Sequence, residues 1–361
     1  MQGKIRVGVI GLGIGTDIHI PGFQACPDAE VVAICDVRQE RVEAAAKKFG
    51  IPNVFTDYRK MLELNGLDAV SITTPPHLHF PMTMAALEAG KHIICEKPMA
   101  LNLDEAQRMY EEAERRGVIH MINHEFRFFP GWARMKELID EGYLGKVFNV
   151  FSTTLYLTPS RPWHWWVPGG GLLGAVGSHV IDALRYWFGE IVGVYGEVDT
   201  WIKQRVPPEC DDIRDVPVDD AFSFMVRFQS GGLGTVVVSS AARYVSGVPG
   251  ESSFEAYGSD GTLKLGTDDK LIGGRGEDKE ASEIPIPDRL KLPKAEGDFL
   301  LPPFIRLVQE FLRGIKEKTK VAPSLYDGVK HQAVIDAILL SHKERRWVAE
   351  LTSDRISYEF K

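Results

Sequence analysis

The first third of the chain alternates short apolar runs with longer amphipathic stretches, and this alternation limits the fold more than any other feature. Runs rich in valine and isoleucine lie at residues 5–10, 31–35, 68–72, 91–95 and 118–122. They are apolar almost throughout, which is typical of strands covered on both faces. Between the last two runs, Asn102 and Glu105 form a predicted helix-capping box, and Gly117 is a predicted helix stop. Repeated strand–helix units predict an α/β fold with a doubly wound parallel sheet.

The pattern changes after about residue 123. A helix is predicted at 130–142, a long strand near 145–157, and a glycine-led helix in GGGLLGAVGSHVID at 169–182. Further strand-like runs, joined by hairpin-type turns, lie at 192–201, 221–228, 233–240, 252–258 and 262–266. They predict an α+β domain with a large, mainly antiparallel open sheet. Residues 266–300 are predicted to form a surface excursion, and two helices follow it.

Composition excludes several classes of protein. The 361 residues are enough for two domains, and a net charge of -8 argues against nucleic acid or an anionic membrane as partner. No apolar run is long enough to span a bilayer and no signal peptide is visible, so a cytoplasmic location is predicted. No metal site is predicted. Free thiols in a reducing compartment are expected for the scattered Cys26, Cys35, Cys95 and Cys210.

A glycine-rich turn follows the first predicted strand. In VGVIGLGIGTDIHIPGF, Gly11 and Gly13 lie where the strand ends and a helix is predicted to begin. In dinucleotide-binding folds the first glycine allows the tight turn and the second lets the backbone approach the pyrophosphate. Thr16 occupies the third glycine position of that pattern. The turn of Gly11, Leu12, Gly13 and Ile14 is therefore predicted to bind a dinucleotide at a helix N-terminus.

An acid follows the second predicted strand. Asp36 lies about 20 residues beyond the glycine turn, where a carboxylate can hydrogen-bond the ribose of the cofactor. The same charge repels the 2′-phosphate of NADP, so NAD is favoured over NADP. Arg38 offers the opposite charge or a surface for the adenine. The alternative is that Asp36 is an ordinary turn residue at a strand end.

Polar residues also follow the third and fourth of the apolar runs, in TTPPHLH at 73–79 and in CEKP at 95–98. Ligands of open α/β sheets bind beyond the carboxyl ends of the strands. Lys97, beside Glu96, is therefore a candidate for catalysis or substrate binding. The alternative is a solvated surface charge.

Taken in order along nearly the whole chain, these motifs resemble those of the Gfo/Idh/MocA family, named for glucose–fructose oxidoreductase, inositol dehydrogenase and a rhizopine-catabolism protein. The resemblance rests on the glycine turn, the acid after the second strand, TTPPHLH, AGKHIICEKPMA, FRFFP, GGGLLGAVGSHVID and YDGVKHQAVIDAI. It implies an NAD(P)-binding Rossmann domain over residues 1–122. It also implies a substrate and oligomerisation domain over 123–361, whose helix at about 324–344 packs back on the first domain.

The same resemblance implies NAD(P)-linked hydride transfer at a secondary hydroxyl of a sugar or cyclitol. By position, Lys97 matches the lysine that polarises the reacting oxygen, and His179 matches the histidine of the glycine-led helix. The positions that match residues at the cofactor are Thr74, Pro75, His79, Glu96, Lys97, Asn123 and Arg127.

The chain departs from the family at Ala175, where many members carry an aspartate one turn before the histidine. Positions 175 and 179 share a face of an α-helix, so the carboxylate partner of His179 is missing, and Asp182 is predicted to be structural. A neutral imidazole suits removal of a hydroxyl proton as the C–H bond breaks, so His179 is predicted to act as acid/base with Lys97. The alternative is a core histidine, since apolar residues recur at 172, 176, 180, 183 and 187.

The segment LYLTPSRPWHWWVPGGG at 155–171 combines aromatic faces with polar donors, which suits a polyhydroxylated ring. The residues predicted to bind substrate are Tyr156, Trp163, His164, Lys97 and His179. Arg161 belongs to the same segment, and Arg243 and Tyr244 are weaker candidates for the same pocket. The alternative is that two of the tryptophans pack under the loop.

Two other functions stay open. A glycoside hydrolase of the same fold uses bound NAD for transient oxidation, so turnover leaves NAD unreduced. A non-catalytic NAD-binding regulator would explain the missing carboxylate, although retention of Lys97 and His179 argues against it. Residues 190–265 contain no second helical layer to cover the predicted sheet, and an exposed sheet face of this size predicts a homodimer or homotetramer.

Overall fold

The computed structural model describes residues 3–157, 163–242, 252–276, 278–349 and 351. The chain divides into two compact units. The first contains Met1–Phe128 and Leu292–Lys330, and the second contains Phe129–Lys291 and His331–Lys361. Within the described residues, no helix is long and apolar enough to cross a membrane.

Strands and helices follow the predicted order. The strands are β1 (Ile5–Ile10), β2 (Ala29–Cys35), β3 (Asn53–Phe55), β4 (Ala69–Ile72), β5 (His92–Cys95), β6 (His120–Ile122), β7 (Val147–Leu155), β8 (Ile191–Asp199), β9 (Gln204–Arg205), β10 (Arg214–Asp215), β11 (Ala221–Phe228), β12 (Leu233–Ser239), β13 (Ser252–Gly258), β14 (Gly261–Gly266), β15 (Leu271–Arg275), β16 (Ser282–Glu283) and β17 (Val348–Ala349). The α-helices are α1 (Ile20–Gln24), α2 (Gln39–Phe49), α3 (Tyr58–Leu62), α4 (His79–Glu88), α5 (Leu103–Arg116), α6 (Pro130–Asp140), α7 (Ser178–Phe188), α8 (Leu301–Glu317) and α9 (Leu325–Glu344).

The first unit is built on a six-stranded sheet of order β3-β2-β1-β4-β5-β6, and every pairing in it is parallel. This confirms the doubly wound fold. The capping box is also confirmed, because the Asn102 side chain accepts a hydrogen bond from the Glu105 N–H at 2.9 Å. Gly117 ends α5 with a φ of 64°, which a residue with a side chain rarely adopts. Within this sheet, the sequence did not predict strand β3, because its three residues are too few to form an apolar pattern.

Within the first unit, helix α8 packs closely against α1. A Cβ at Gly22 would overlap the ring of Phe304, which is fully buried, so only glycine permits this approach. The same core includes buried residues of β1 and β2 and of the α8 face, such as Leu307, Val308 and Phe311. A long amphipathic helix far along the chain therefore completes the core of the parallel sheet.

The second unit is built on a nine-stranded sheet of order β16-β15-β14-β13-β7-β12-β11-β8-β17. Its pairings are antiparallel except β7 with β12, which is parallel. Buried residues of α6, α7 and α9, including Leu138, Leu184 and Ile338, share one core with the inward-facing residues of the strands. Residues 266–300 are only partly a surface excursion, because they also contain β15 and β16. Strand β15 was not predicted because the two glycines of its sequence, LIGGR, interrupt the apolar pattern.

Candidate functional site

The glycine turn after β1 lies against the turn after β4. The N–H of Gly11 donates to the carbonyl oxygen of Cys35 at 2.8 Å. Gly11 has a φ of 100°, and a Cβ there would lie 2.8 Å from the backbone C and O of Thr73. A Cβ at Gly13 would meet nothing within 4 Å. Gly11 is therefore required by the fold of the turn, whereas Gly13 leaves open space for a ligand.

The close helix–strand packing that the third glycine of the pattern usually allows is provided here by Gly15, one position before Thr16, and the sequence analysis did not single out Gly15. A Cβ at Gly15 would lie 2.7 Å from Thr73 Oγ1 and 3.2 Å from Val9 Cγ1, so the close approach of helix to strand depends on this residue. Residues Gly15–His19 form a π-helical turn before α1. Thr16 instead donates its hydroxyl to the Leu12 carbonyl oxygen at 3.0 Å. The glycine in GLGIG was the available signal.

Asp36, directly after β2, is tied to the glycine turn. Its Oδ2 accepts the N–H of Leu12 at 2.9 Å and its Oδ1 accepts the N–H of Arg38 at 3.0 Å. The side chain of Val37 is 83% exposed and that of Ile14 is 37% exposed, so apolar surface lies beside the carboxylate. The acid has lone pairs left for a ribose, and the surface beside it suits an adenine ring.

His79 connects the turns after β4 and β5. Its Nδ1 lies 2.8 Å from the Pro98 carbonyl oxygen and its Nε2 lies 2.7 Å from that of Thr74. The ring is fully buried, and burial lowers the pKa of His79 despite these two carbonyl contacts. The ring therefore positions Thr74, beside Pro75, and Pro98. The hydroxyl oxygen of Thr74 is buried and has no hydrogen-bond partner in the described part of the chain.

Glu96, at the end of β5, is held by a buried polar network. Its Oε1 lies 2.9 Å from His19 Nε2 and 2.5 Å from Asn123 Nδ2, and its Oε2 accepts the N–H of Lys97 at 3.1 Å. The second nitrogen of His19 lies 2.7 Å from the Ser71 hydroxyl. Burial raises the pKa of Glu96, but the contacts with His19, Lys97 and Asn123 outweigh it and hold the pKa well below its ordinary value. His19 was not among the predicted residues.

A second buried carboxyl group, Glu125, follows β6. It is 2% exposed, and its Oε2 has no hydrogen-bond partner among the residues described. Burial and the nearby charge of Glu96 raise the pKa of Glu125 to about 8. Arg127, two residues on, is buried and donates to Asp327 Oδ1 at 2.9 Å. The predicted residues Asn123 and Arg127 are thus both buried, and both follow β6 at this edge of the sheet.

The first unit fits a dinucleotide. Gly13 leaves space at a helix N-terminus, Asp36 offers a fixed carboxylate, and the buried acceptor Oδ1 of Asn123 has no hydrogen-bond partner in the described segments. The predicted turn residues Gly11, Leu12, Gly13 and Ile14 and the acid come together as expected. The predicted residues at the ends of β4, β5 and β6 lie in the same unit, along the carboxyl edge of the sheet.

His179 lies in the first turn of α7 and is 6% exposed. The residues before it, Leu173–Gly177, form a π-helical turn rather than the regular α-helix that the sequence predicted. Such turns are rare and recur at functional sites. The apolar positions 172, 180, 183 and 187 are buried as predicted, and Asp182 is also buried.

Asp219, just before β11, caps the beginning of this helix and was missed by the sequence analysis. Its Oδ2 accepts the N–H of Leu173 at 2.6 Å, and its carbonyl oxygen accepts the N–H of Leu172 at 3.0 Å. A Cβ at Gly171 would overlap Asp219 Oδ1. Gly171 therefore makes room for an acid from a distant loop. No nearby sequence signal connects the two segments.

The aromatic segment contains both exposed and buried rings. Trp163 is 51% exposed and Trp165 is fully buried, so Trp165 packs as the alternative predicts, while Trp163 stays a candidate for substrate binding. The rings of His164 and Trp165 lie 4.3 Å apart, and Tyr156 is half-buried. The further candidates Arg161, Arg243 and Tyr244 lie outside the described residues.

Comparisons with known proteins agree with this geometry. Residues 5–124 match the family described as an oxidoreductase family with an NAD-binding Rossmann fold, and residues 132–264 match the GFO/IDH/MocA C-terminal domain. Levoglucosan dehydrogenase of Pseudarthrobacter phenanthrenivorans is 30% identical over 96% of this chain and 98% of its own length. Myo-inositol 2-dehydrogenase of Thermotoga maritima is 32% identical over 72% of this chain and 74% of its own length.

A solved structure of levoglucosan dehydrogenase in complex with NADH superimposes with a TM-score of 0.87 at 29% identity, covering 96% of this chain and 99% of that one. The fold, the glycine turn and these matches define an NAD-binding oxidoreductase. The chain belongs to the Gfo/Idh/MocA family, and the resemblance noted from its motifs is confirmed.

Proposed function

We propose that the chain transfers a hydride between NAD and a secondary hydroxyl or keto group of a sugar or cyclitol. The observation that carries this proposal is the Glu96–Lys97 pair at the end of β5. Because His19 and Asn123 fix the Glu96 carboxylate, and that carboxylate accepts the Lys97 N–H, the backbone of Lys97 is fixed at the carboxyl edge of the sheet. Relatives named for levoglucosan and myo-inositol support the substrate class.

Lys97 and His179 divide the chemistry. A nicotinamide held at the edge formed by Thr74, Glu96 and Asn123 would supply the hydride acceptor or donor. The Lys97 ammonium stabilises negative charge on the substrate oxygen, and the His179 imidazole takes or returns the hydroxyl proton. With Ala175 in place of an aspartate, no carboxylate at that position stabilises an imidazolium, which favours the neutral, base-competent form of the histidine.

The substrate residues proposed beside them are Tyr156, Trp163 and His164. The half-exposed indole of Trp163 offers an apolar face to the C–H bonds of a sugar ring, and His164 and Tyr156 offer polar groups to its hydroxyls. In this proposal residues 1–122 bind the cofactor, while residues 123–361 bind substrate and mediate assembly.

NAD is proposed over NADP as the preferred cofactor. The Asp36 carboxylate, held by Leu12 and Arg38, accepts hydrogen bonds from the ribose diol and repels a 2′-phosphate. Burial of His79, Glu96, Asn123 and Arg127, together with the contact between His79 and the Thr74 carbonyl oxygen, supports a dry and rigid nicotinamide edge.

Turnover with a panel of sugars and cyclitols tests the proposed function. Accumulation of NADH absorbance with levoglucosan, myo-inositol or a related polyol, stoichiometric with the keto product, is the expected result. Cleavage of a glycoside with no net NADH would instead establish the hydrolase alternative. Binding of NAD with no turnover of any polyol in either direction would favour the regulator.

A homodimer or homotetramer is proposed from the open face of the nine-stranded sheet. Side chains on this face that are exposed by two-fifths or more include Phe151, Met225 and Val237, on three neighbouring strands. An exposed apolar sheet face that extends over three neighbouring strands is typical of an interface. Light scattering should give a defined oligomer for the wild type and a monomer for Met225→Lys with Val237→Lys. A wild-type monomer at micromolar concentration would refute the assembly.

A cytoplasmic location is proposed as well. All four cysteines are unbridged, and Cys26, Cys35 and Cys95 are buried, as suits a reducing compartment. Fractionation of the native host should recover the chain with cytoplasmic markers.

A further inference from the structure

We propose that two adjacent acids, Asp219 and Asp220, position the two halves of the substrate site in the second unit. Asp219 holds the helix that carries His179. Asp220, acting through Arg205, holds the turn that carries Trp163 and His164. This inference rests on the proposed function and adds positioning residues to it.

Asp219 fixes the helix at its first turn. The N–H groups of Leu172 and Leu173 are two of the four that a helix leaves unpaired at its beginning, and both donate to Asp219. The glycine at 171 is required because a side chain there would overlap the carboxylate. His179 follows six residues later on the same continuous helical segment, so the cap sets the direction from which the imidazole projects.

Asp220 fixes a separate element. It is fully buried, and its carboxylate accepts hydrogen bonds from the backbone N–H groups of Trp201 at 2.6 Å and Ile202 at 2.9 Å. These hydrogen bonds fix the start of the β9–β10 hairpin. It also accepts the Arg205 guanidinium at 3.1 Å. Arg205 is 5% exposed, so removing its carboxylate partner would leave a buried charge without compensation.

Arg205 in turn holds the aromatic turn from beneath. Its guanidinium carbon lies 4.3 Å from the centre of the Trp165 ring, which is fully buried. The Trp166 indole N–H donates to the Asp215 carbonyl oxygen at 3.0 Å, so the second strand of the same hairpin holds the next residue of the turn. The outer ring of this turn, Trp163, stays exposed for a ligand.

The two acids share one rigid base. The Asp220 N–H donates to the Asp199 carbonyl oxygen at 3.0 Å. The Asp220 carbonyl oxygen accepts both the N–H and the hydroxyl of Ser240, at 3.0 and 3.1 Å. The dipeptide is thus fastened between the ends of β8 and β12. The side chains of these two adjacent residues therefore contact two different segments, the helix that carries His179 and the hairpin that holds the aromatic turn.

Hydrogen exchange tests the positioning without any activity. Asp219→Ala should speed amide exchange in residues 172–177 by about tenfold or more while leaving 163–166 unchanged, because loss of a helix cap opens only that end. Arg205→Met should do the reverse. Asp212→Asn, in the exposed part of the same hairpin, is the matched control and should change neither segment.

Steady-state kinetics on the sugar that the wild type oxidises test the consequence for function. Asp219→Ala should lower kcat by about tenfold with little change in KM, and Asp219→Asn, which retains an acceptor for the helix, should restore most of it. Arg205→Met should raise KM by about tenfold with little change in kcat, and Arg205→Lys should restore little because it lacks the planar stack.

Exchange that rises equally in both segments for both variants would overturn the proposal, as would exchange unchanged in either variant. The proposal would also be overturned if Asp219→Ala and Arg205→Met changed kcat and KM in the same way. If Arg205→Met does not fold, Arg205→Lys carries the test by the same exchange pattern. A wild type without turnover on any polyol refutes the proposed function, while the exchange pattern still decides the positioning.

Discussion

The Oδ2 atom of Asp36 accepts the backbone N–H of Leu12 at 2.9 Å, so the acid after the second strand holds the glycine turn after the first. The carboxylate thus fixes the turn, and in the proposed function it also selects the cofactor. Asp36→Ala should weaken NAD binding and shift the ratio of NAD to NADP affinity toward NADP. Asp36→Asn keeps an acceptor for Leu12 and removes the charge. Titration with both cofactors checks this, and a wild type that prefers NADP would contradict it and favour Arg38.

Gly13 and Gly15 should respond differently to the same substitution. Gly15→Ala places a methyl group 2.7 Å from Thr73 Oγ1, so it should lower the melting temperature. Gly13→Ala meets no protein atom within 4 Å, so the melting temperature should stay within about a degree while NAD affinity falls at least about tenfold. Thermal melts with and without NAD separate the two. Equal melting temperatures for both variants would show that Gly15 does not pack as described.

Lys97→Met retains the aliphatic stem and removes the charge. NAD should still bind, because the Glu96 network fixes the backbone without the Lys97 ammonium. Turnover should fall by about 10³-fold if the ammonium stabilises charge on the substrate oxygen. Fluorescence titration of NADH and steady-state rates check the two halves of this prediction. Turnover within threefold of wild type would make Lys97 a solvated surface charge.

His179→Ala should lower turnover by roughly 10²–10⁴-fold with little change in cofactor affinity. Ala175→Asp adds a negative charge on the preceding turn, which should raise the pKa of His179 and move the acid limb of the rate profile to higher pH. A folded His179→Ala enzyme with near-normal turnover would return the residue to the core. An unmoved acid limb would show that the π-helical turn directs position 175 away from the imidazole.

Glu125→Gln should change how stability depends on pH. The native carboxyl keeps its proton up to a pKa of about 8, whereas an unfolded chain releases it near 4.5. Between these values the native state binds more protons, so this group lowers the free energy of unfolding as pH rises, by up to about 1.4 kcal/mol per pH unit. The variant lacks this contribution.

Denaturant unfolding of both proteins from pH 5 to pH 8 measures the effect as a difference, which removes the titrations that they share. The stability of Glu125→Gln relative to wild type should rise steadily over that range. A constant difference would mean that Glu125 ionises at the same pH in the folded and unfolded chain.

Local pattern was enough to predict the parallel sheet, the capping box and the order of most strands, because each depends on neighbouring residues. The run AFSFMVRF, for instance, is β11 without adjustment. Partners supplied across long sequence distances were not predictable. Asp219 caps a helix 46 residues earlier, and His19 meets Glu96 across 77 residues, with no sequence signal joining either pair.

The π-helical turns before α1 and α7 were also missed, because one extra residue in a turn does not alter an apolar pattern enough to be recognised. The role of Gly15 was not predicted for a different reason, because it depends on how close Thr73 comes, which is a property of the folded turn.

Among the residues that the structure describes, the nine-stranded sheet ends on both sides in strands of two residues, Ser282–Glu283 and Val348–Ala349. A long, flat border strand offers a row of unpaired amides and carbonyls on which further chains can add without limit. Borders this short give a second molecule little backbone to extend. In the proposed homodimer or homotetramer, association would therefore use the broad surface of the sheet rather than its border, and contacts between copies would close into a finite symmetric particle instead of growing into fibres.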